Sequence, residues 1–263
     1  MLLAIDIGNT SIAFGVFRGE KLQGTWYASS GIHRLPDEYA VLLSNLLSFK
    51  GIKRSDISEA ILCSTVPPLV STFQEVCQRY LGVNALVVGA GTKTGVRICM
   101  DNPREVGADR VVNAAAAHHL YGGPVIVIDM GTATTFDVVS ADGDYLGGAI
   151  APGVGIASEA LWVRTAKLPR VELVRPKQAI GRNTVTAIQS GIVFGYLGLI
   201  EGIVARMRRE LGEETKVIAT GGYANVIGPE TPVIQEINPD LTLIGLRLVH
   251  ELNGGLRGDE GHD

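Results

Sequence analysis

Ile5-Asp6-Ile7-Gly8-Asn9-Thr10 and Ile128-Asp129-Met130-Gly131-Thr132-Ala133 are near-copies of one short passage, 123 residues apart. In each, an apolar run, Leu2 to Ile7 or Val125 to Met130, carries a carboxylate near its end and passes through glycine into a second β-type run. Such runs, bounded by small turn-forming residues, read as strands joined by tight turns. Extended without a gap, the offset sets Val16 on Val139, the turn Gly19-Glu20 on Asp142-Gly143, and Gly24 on Gly147. Two strand-Asp-x-Gly-strand hairpins at one offset indicate an internal duplication.

Outward from the first hairpin, Leu22 to Ala28 reads as a third strand of a meander. A helix from Pro36 to Phe49 follows, then a strand from Ala60 to Val66 and a helix opened by Pro67 and Pro68 that stops near Gly82. Proline just inside a helix start and glycine just past its end are the usual punctuation. A strand from Ala85 to Val88 and an alanine-rich helix from Arg104 to Tyr121 complete this half. The second half predicts helices near Gly155 to Thr165, Val185 to Leu211 and Leu243 to Leu252, with a strand from Lys216 to Thr220 before Gly221-Gly222. The fold class is therefore α/β, with domains at 1–121 and 122–263 facing each other across a cleft. Both Asp-x-Gly turns are expected to point into that cleft, and residues 253–263, rich in glycine and charge, are expected to fray.

Lysine and arginine number 23 against 27 aspartates and glutamates, and the net charge of −4 argues against nucleic acid as a partner. Hydrophobic residues make up 46% and charged ones 19%, which excludes a disordered, solvated chain. The N-terminus reaches Asp6 without a basic residue, so no secretion signal is read there. The longest charge-free stretch, Asn183 to Ile200, is diluted by threonine, glutamine, serine and glycine and reads as a buried helix, not a membrane span. Cys63, Cys77 and Cys99 are too few and too widely spaced for a disulfide framework or a CxxC motif, and read as buried free thiols in a reducing cytoplasm.

The chemistry gathers at the duplicated turns. Gly8-Asn9-Thr10-Ser11 offers backbone N–H groups and hydroxyls without bulk, which suits a phosphate chain, and Asp6 could hold the Mg²⁺ that accompanies ATP, through water. A lone turn of this kind is as easily an Asx-type β-turn, and the second copy is what favours a nucleotide. Gly107-Ala108-Asp109-Arg110, near a helix start, combines a glycine permitting close approach, a carboxylate able to take a hydroxyl proton and a guanidinium for an anion. The bland reading of the same block is a helix-terminal carboxylate beside a surface charge. Gly89 to Gly95 lacks the spacing of a phosphate loop and reads as a surface loop, and the adjacent His118 and His119 cannot form an i, i+4 metal pair.

Together with the run Gly147-Gly148-Ala149-Ile150-Ala151-Pro152-Gly153 and with Gly221-Gly222, these blocks, in this order and spacing, resemble the type III pantothenate kinases. That family belongs to the superfamily of acetate and sugar kinases, Hsp70 and actin, and the resemblance covers nearly the whole chain. It implies two duplicated ribonuclease-H-like domains flanking a central cleft, the actin-like ATPase fold. It further implies transfer of the ATP γ-phosphate to pantothenate, giving 4′-phosphopantothenate, the first step of coenzyme A biosynthesis. By the same resemblance Asp6, Ile7, Gly8, Asn9, Thr10, Ser11, Ile12, Ala13 and Thr132 surround the nucleotide, with Gly221 and Gly222 among the nucleotide-binding residues. Asp109 becomes the catalytic base, and Gly107, Ala108, Asp109 and Arg110 contact pantothenate. Asp129 is implied to bind a monovalent cation, K⁺ or NH₄⁺, and Thr184 to contact substrate near the interface of a homodimer. Met100 departs from the pattern, because relatives often place a tyrosine there beside the substrate. Two alternatives stay open: a catalytically silent transcription-accessory relative, against which the intact Asp109 and Arg110 weigh, and another small-molecule kinase of the superfamily.

Overall fold

The structure is a computed structural model that describes residues 1–254. Its elements in chain order are β1 (Leu2–Ile7), β2 (Ser11–Arg18), β3 (Lys21–Ser29), α1 (Pro36–Phe49), β4 (Glu59–Ser64), α2 (Pro67–Val76), β5 (Ala85–Val87), β6 (Arg97–Ile98) and α3 (Ala108–Tyr121). There follow β7 (Val125–Met130), β8 (Ala133–Val139), β9 (Asp144–Pro152), α4 (Val154–Val163), α5 (Thr184–Leu211), β10 (Lys216–Thr220), α6 (Ala224–Ile227), β11 (Glu236–Ile237) and α7 (Leu241–Leu252). One sheet has the order β3-β2-β1-β4-β5 and the other β11-β10-β7-β8-β9-β6. Read from the meander outward, 3-2-1-4-5 and 9-8-7-10-11 are one topology built twice, an antiparallel meander extended by parallel strands. This is the strand order of a ribonuclease-H-like domain, and the duplication expected from the two Asp-x-Gly turns stands.

The packing forms two compact units, residues 1–97, 101–116 and 240–254 in one, and 98–100 with 117–239 in the other. The sequence-based division at 121 and 122 counts α7 with the second half, whereas α7 packs with the first. The physical reason is a shared apolar face: Leu243, Leu246 and Val249 of α7 join Leu2, Ala4, Ile61 and Val112 in one buried cluster. Gly245 lets α7 come close to α3, for a Cβ there would fall 2.3 Å from the Val112 carbonyl oxygen. The other face of this sheet buries Leu3, Ile5, Ile7, Phe14 and Val16 against Tyr39, Leu43, Leu47 and Phe73 of α1 and α2. β1 is thus covered on both faces, which is why it reads as a continuous apolar run broken only by Asp6.

In the second unit α5 supplies Ile188, Ile192, Val193, Tyr196, Leu197, Ile200 and Val204 to a core shared with Ile126, Ile128, Phe136 and Val138 of the sheet. Its length and apolarity alone would suit a membrane span, but these residues spend that apolar surface on the core. Asn183 caps it, its Oδ1 accepting from the Thr186 N–H at 2.9 Å.

Three expectations need correction. The alanine-rich helix begins at Ala108, not Arg104, because Pro103–Glu105 forms a separate 3₁₀ turn and Val106 is extended. Cys63 and Cys77 are buried free thiols, but Cys99 is exposed, since Met100 and the residues after it leave the short β6 for an open loop. The ungapped match between hairpins also fails inside the second strand. Asp6 pairs with Ala13, but Asp129 pairs with Thr135, so Phe14 answers to Phe136 and Val16 to Val138, not to Val139. The expected tail lies, beyond Gly254, outside the described residues.

Candidate active site

In the first unit, strand alternation puts Asp6 on the same face as Leu2 and Ala4, the face covered by α3 and α7. Cys63 on β4 is its Cα partner in the parallel pair, and the Cys63 thiol donates to Asp6 Oδ1 at 3.3 Å. Above this face, α3 carries Asp109 in its first turn. Val112, one turn further along, is buried in the same cluster as Leu2, Ala4 and Cys63, so the i, i+3 spacing turns Asp109 toward that cluster as well. Burial, and then the Asp109 charge, push the Asp6 carboxyl up from 3.8 to about 6, while the Cys63 hydrogen bond acts in the opposite sense. Burial, followed by the two carboxylates, holds the Cys63 thiol well above its ordinary value. Two carboxylates and a neutral thiol therefore crowd one spot at the end of β1.

Gly107 makes this geometry possible, because a Cβ there would sit 2.4 Å from Asp109 Oδ1. Its carbonyl accepts the Arg110 and Val111 N–H groups at 3.1 and 3.2 Å, opening the helix. The turn after β1 leaves Asn9, Thr10 and Ser11 exposed and is braced from behind. Gly8 N–H donates to the Ser11 carbonyl at 3.0 Å, Ser30 Oγ to the Gly8 carbonyl at 2.5 Å, and Thr65 N–H to the Ile7 carbonyl at 3.0 Å. Asn9 Nδ2 also donates to Thr65 Oγ1 at 3.3 Å. Ser30 and Thr65 were missed in the sequence; their signal is modest, small hydroxyl residues just past the ends of β3 and β4, where loops of such sheets gather.

The second unit repeats the turn with different support. Asp129 pairs with Thr135 on one side and Thr220 on the other. Gly131 N–H donates to the Ala133 carbonyl and Gly153 N–H to the Thr132 carbonyl, at 3.0 and 3.1 Å. Gly221, at φ +91°, lies against Asp129, where a Cβ would come within 2.5 Å of Oδ1. Gly222 follows it in the turn before α6. Thr184, the first residue of α5, lines a groove of about 770 Å³ together with Leu161, Leu168, Arg182, Asn183 and Ile188. Met100 lies near Gly147, 3.8 Å from where a Cβ on that glycine would stand. Of the residues singled out in the sequence, the segment Asp6 to Ala13 and the block Gly107 to Arg110 come together in the first unit. Asp129, Thr132, Thr184, Gly221 and Gly222 belong to the second. His118, by contrast, bonds through Nε2 to the Ala141 carbonyl at 3.2 Å, and the Gly89 to Gly95 loop is held at Lys93 by Asn253.

The donor set fits a hydrated divalent cation shared with phosphate. Among the described residues no group of three or more His, Cys, Asp or Glu forms a protein-only cage. A crowded pair of carboxylates, one of them pushed toward neutrality, is however the arrangement that a nearby cation would stabilise in its charged form. At Asp129 the absence of a side chain on Gly221 lets the turn before α6 pass close against a carboxylate oxygen and the Met130 backbone.

A family model described as type III pantothenate kinase matches residues 2–206. Curated relatives of that name include one from Dehalococcoides mccartyi, 54% identical over 96% of this chain and 98% of its own length. Another, from Moorella thermoacetica, is 52% identical over 96% of this chain and 100% of its own. Among solved structures, a Campylobacter jejuni protein of the Baf family superposes with a TM-score of 0.61 at 19% identity, covering 97% of this chain and 100% of that one. The activator of 2-hydroxyisocaproyl-CoA dehydratase from Clostridium difficile, with bound ADPNP, gives 0.51 at 13% identity, covering 96% of both chains. At such identities these structures speak for the fold alone.

Proposed function

The chain belongs to the type III pantothenate kinase family, and from that premise we propose that it transfers the γ-phosphate of ATP to pantothenate, giving 4′-phosphopantothenate and ADP. The observation that carries the reading into this molecule is the meeting of Asp6 and Asp109 at the end of β1. The two lie 103 positions apart in sequence, and the fold brings them close enough for the Asp109 charge to raise the Asp6 carboxyl.

In this reading the Gly8 to Ala13 segment receives the phosphates through its backbone N–H groups and hydroxyls. Asp6 would hold Mg²⁺ through water, and the bound ion would supply neutralisation of phosphate charge. Gly107, Ala108 and Arg110 bind pantothenate, Arg110 with its guanidinium toward the carboxylate of the vitamin. Asp109 accepts the hydroxyl proton as the pantothenate oxygen bonds to the γ-phosphorus and the bond to the bridging oxygen of ADP breaks. Asp129 would hold K⁺ or NH₄⁺ with its carboxylate, and Thr132, Gly221 and Gly222 belong to the nucleotide-binding set. Thr184 contacts pantothenate near the interface of a homodimer, and the protein works in the cytoplasm. Support for the dimer includes Ile156, Trp162, Val163 and Val185, apolar residues left exposed on α4 and at the start of α5.

The test is a coupled assay of ADP release with and without pantothenate, at fixed Mg²⁺ and ionic strength. Release that requires pantothenate and rises with K⁺ over Na⁺ is the expected result. Release indifferent to pantothenate, or equally fast with a sugar, would assign the site to another acceptor.

A further inference from the structure

Cys63 is buried to 0% exposure among apolar neighbours, which by itself describes a small core residue. Two observations go beyond that. Its thiol donates to Asp6 Oδ1 at 3.3 Å, from the position directly beside Asp6 on the neighbouring parallel strand. In the second copy of the fold the corresponding position, beside Asp129 on its own parallel neighbour, is Thr220, 2% exposed. Both copies thus place a small, buried residue that carries an S–H or O–H group at the register position beside the aspartate of the Asp-x-Gly turn, and in the first copy that group bonds the carboxylate.

We propose that Cys63 is a positioning residue: its S–H holds Asp6 Oδ1 and so fixes the carboxylate with Oδ2 as the oxygen turned to the hydrated cation of the nucleotide. A side chain on the end of a strand has two staggered alternatives to the one it uses. Without a donor at 63, repulsion from Asp109 favours rotation of Asp6 away, since both carboxylates lie on the same face. The inference rests on the reading of Asp6 as the residue that meets Mg·ATP.

The isosteric pair Cys63→Thr and Cys63→Val separates positioning from packing, because the two side chains share a shape and differ by one hydroxyl. The readouts are Mg·ATP affinity by calorimetry, without acceptor, and melting temperature, beside KM and kcat. Positioning predicts crossed rank orders: Cys63→Thr keeps Mg·ATP affinity near wild type, Cys63→Val weakens it about five- to tenfold, and Cys63→Val is nevertheless the more thermostable of the two. A further Asp6→Asn, Cys63→Val double variant should bind no worse than Asp6→Asn alone. Equal Mg·ATP affinity in the threonine and valine variants, with wild type and Asp6→Asn clearly different, would overturn the role of Cys63 and leave the reading of Asp6 intact. If Asp6→Asn binds Mg·ATP as wild type does, the reading of Asp6 itself fails. Should both variants melt too low to assay, Cys63→Ser against Cys63→Ala carries the same comparison.

Discussion

The hairpin β1-β2 and the hairpin β7-β8 begin with nearly the same residues and then pair differently. In the first, Ile7 meets Ile12 across a four-residue turn, Gly8 to Ser11. In the second, Met130 meets Thr134 across three residues, Gly131 to Ala133. A one-residue slip would turn every side chain of the strand to the opposite face. The sequence avoids this by slipping as well: Phe14 and Phe136 are both 0% exposed and both lie opposite an isoleucine, Ile5 or Ile128. The slip is undone at the next turn, where Gly19-Glu20 is answered by Ala141-Asp142-Gly143, and Gly24 again matches Gly147, facing Val16 and Val138 beside the same bulge. The two strands share the face that packs, while the turns after the two carboxylates differ by a residue. The environments of the two carboxylates diverge accordingly, Asp6 beside a thiol and a second acid, Asp129 beneath a bare glycine.

That contrast breaks most sharply at Asp109, whose charge acts on Asp6. Asp109→Asn is expected to lower pantothenate-dependent turnover by about 10² to 10⁴ with little change in melting temperature, as removal of a general base should. A loss of stability with turnover intact would make Asp109 a helix-terminal charge and place the base elsewhere. Next in size are the two phenylalanines. Phe14→Ala and Phe136→Ala should each cost about 3–5 kcal/mol in denaturant unfolding, because each empties a fully buried ring site. A mild effect at Phe136 alone would undo the structural equivalence of the two strands.

The electrostatic difference has a pH signature. The Asp6 carboxyl is raised from 3.8 to about 6 by burial first and Asp109 second, so between those values the folded chain binds more protons than the unfolded one. Stability contributed by this group is therefore full below about pH 4 and falls as pH rises through about 6, by roughly 3 kcal/mol at most. Asp6→Asn should remove that slope and melt higher than wild type at pH 7.5 without nucleotide, while losing Mg·ATP affinity. Equal melting temperatures at pH 7.5 would show that Asp6 is not held in a strained, crowded state. The smallest effect belongs to the second unit: Asn183→Ala, which deletes the cap of α5, should cost about 1 kcal/mol. If Thr184 depends on that helix start for its place in the groove, the same variant should raise KM for pantothenate more than it lowers kcat.

Much of this was legible in the residues. The strand pattern around both Asp-x-Gly turns, the prolines that open α1 and α2, and the glycines that close helices are local signals, and local physics decides them. The slip between hairpins was missed by the rigid offset, which sets Phe14 on Asp137, although aligning Phe14 with Phe136 preserves a buried ring. Three features were not legible. The two-residue strands β6 and β11 are too short to show any period. The allegiance of α7 to the first sheet depends on which apolar face is offered to it, and its own amphipathic pattern fits either. The Cys63 to Asp6 bond joins residues 57 apart through strand register, which no spacing rule reads from a single sequence. In the site, the family resemblance pointed to Asp109 and Asp6, whereas the bracing of the turn by Ser30 and Thr65 arises from where strands end in space.

The paired change in turn length has a consequence for how such proteins diverge. A residue removed from one end of β8 and added at the other leaves the length of the meander untouched, so the strand behaves as a slider between two fixed neighbours. Sliding shortens the turn beside the carboxylate while the core sees no change, which uncouples the shape of a binding loop from the stability of the sheet beneath it. An engineer wishing to resize the loop after Asp6 could borrow the same exchange, taking one residue from Gly8 to Ser11 and returning it between Arg18 and Lys21.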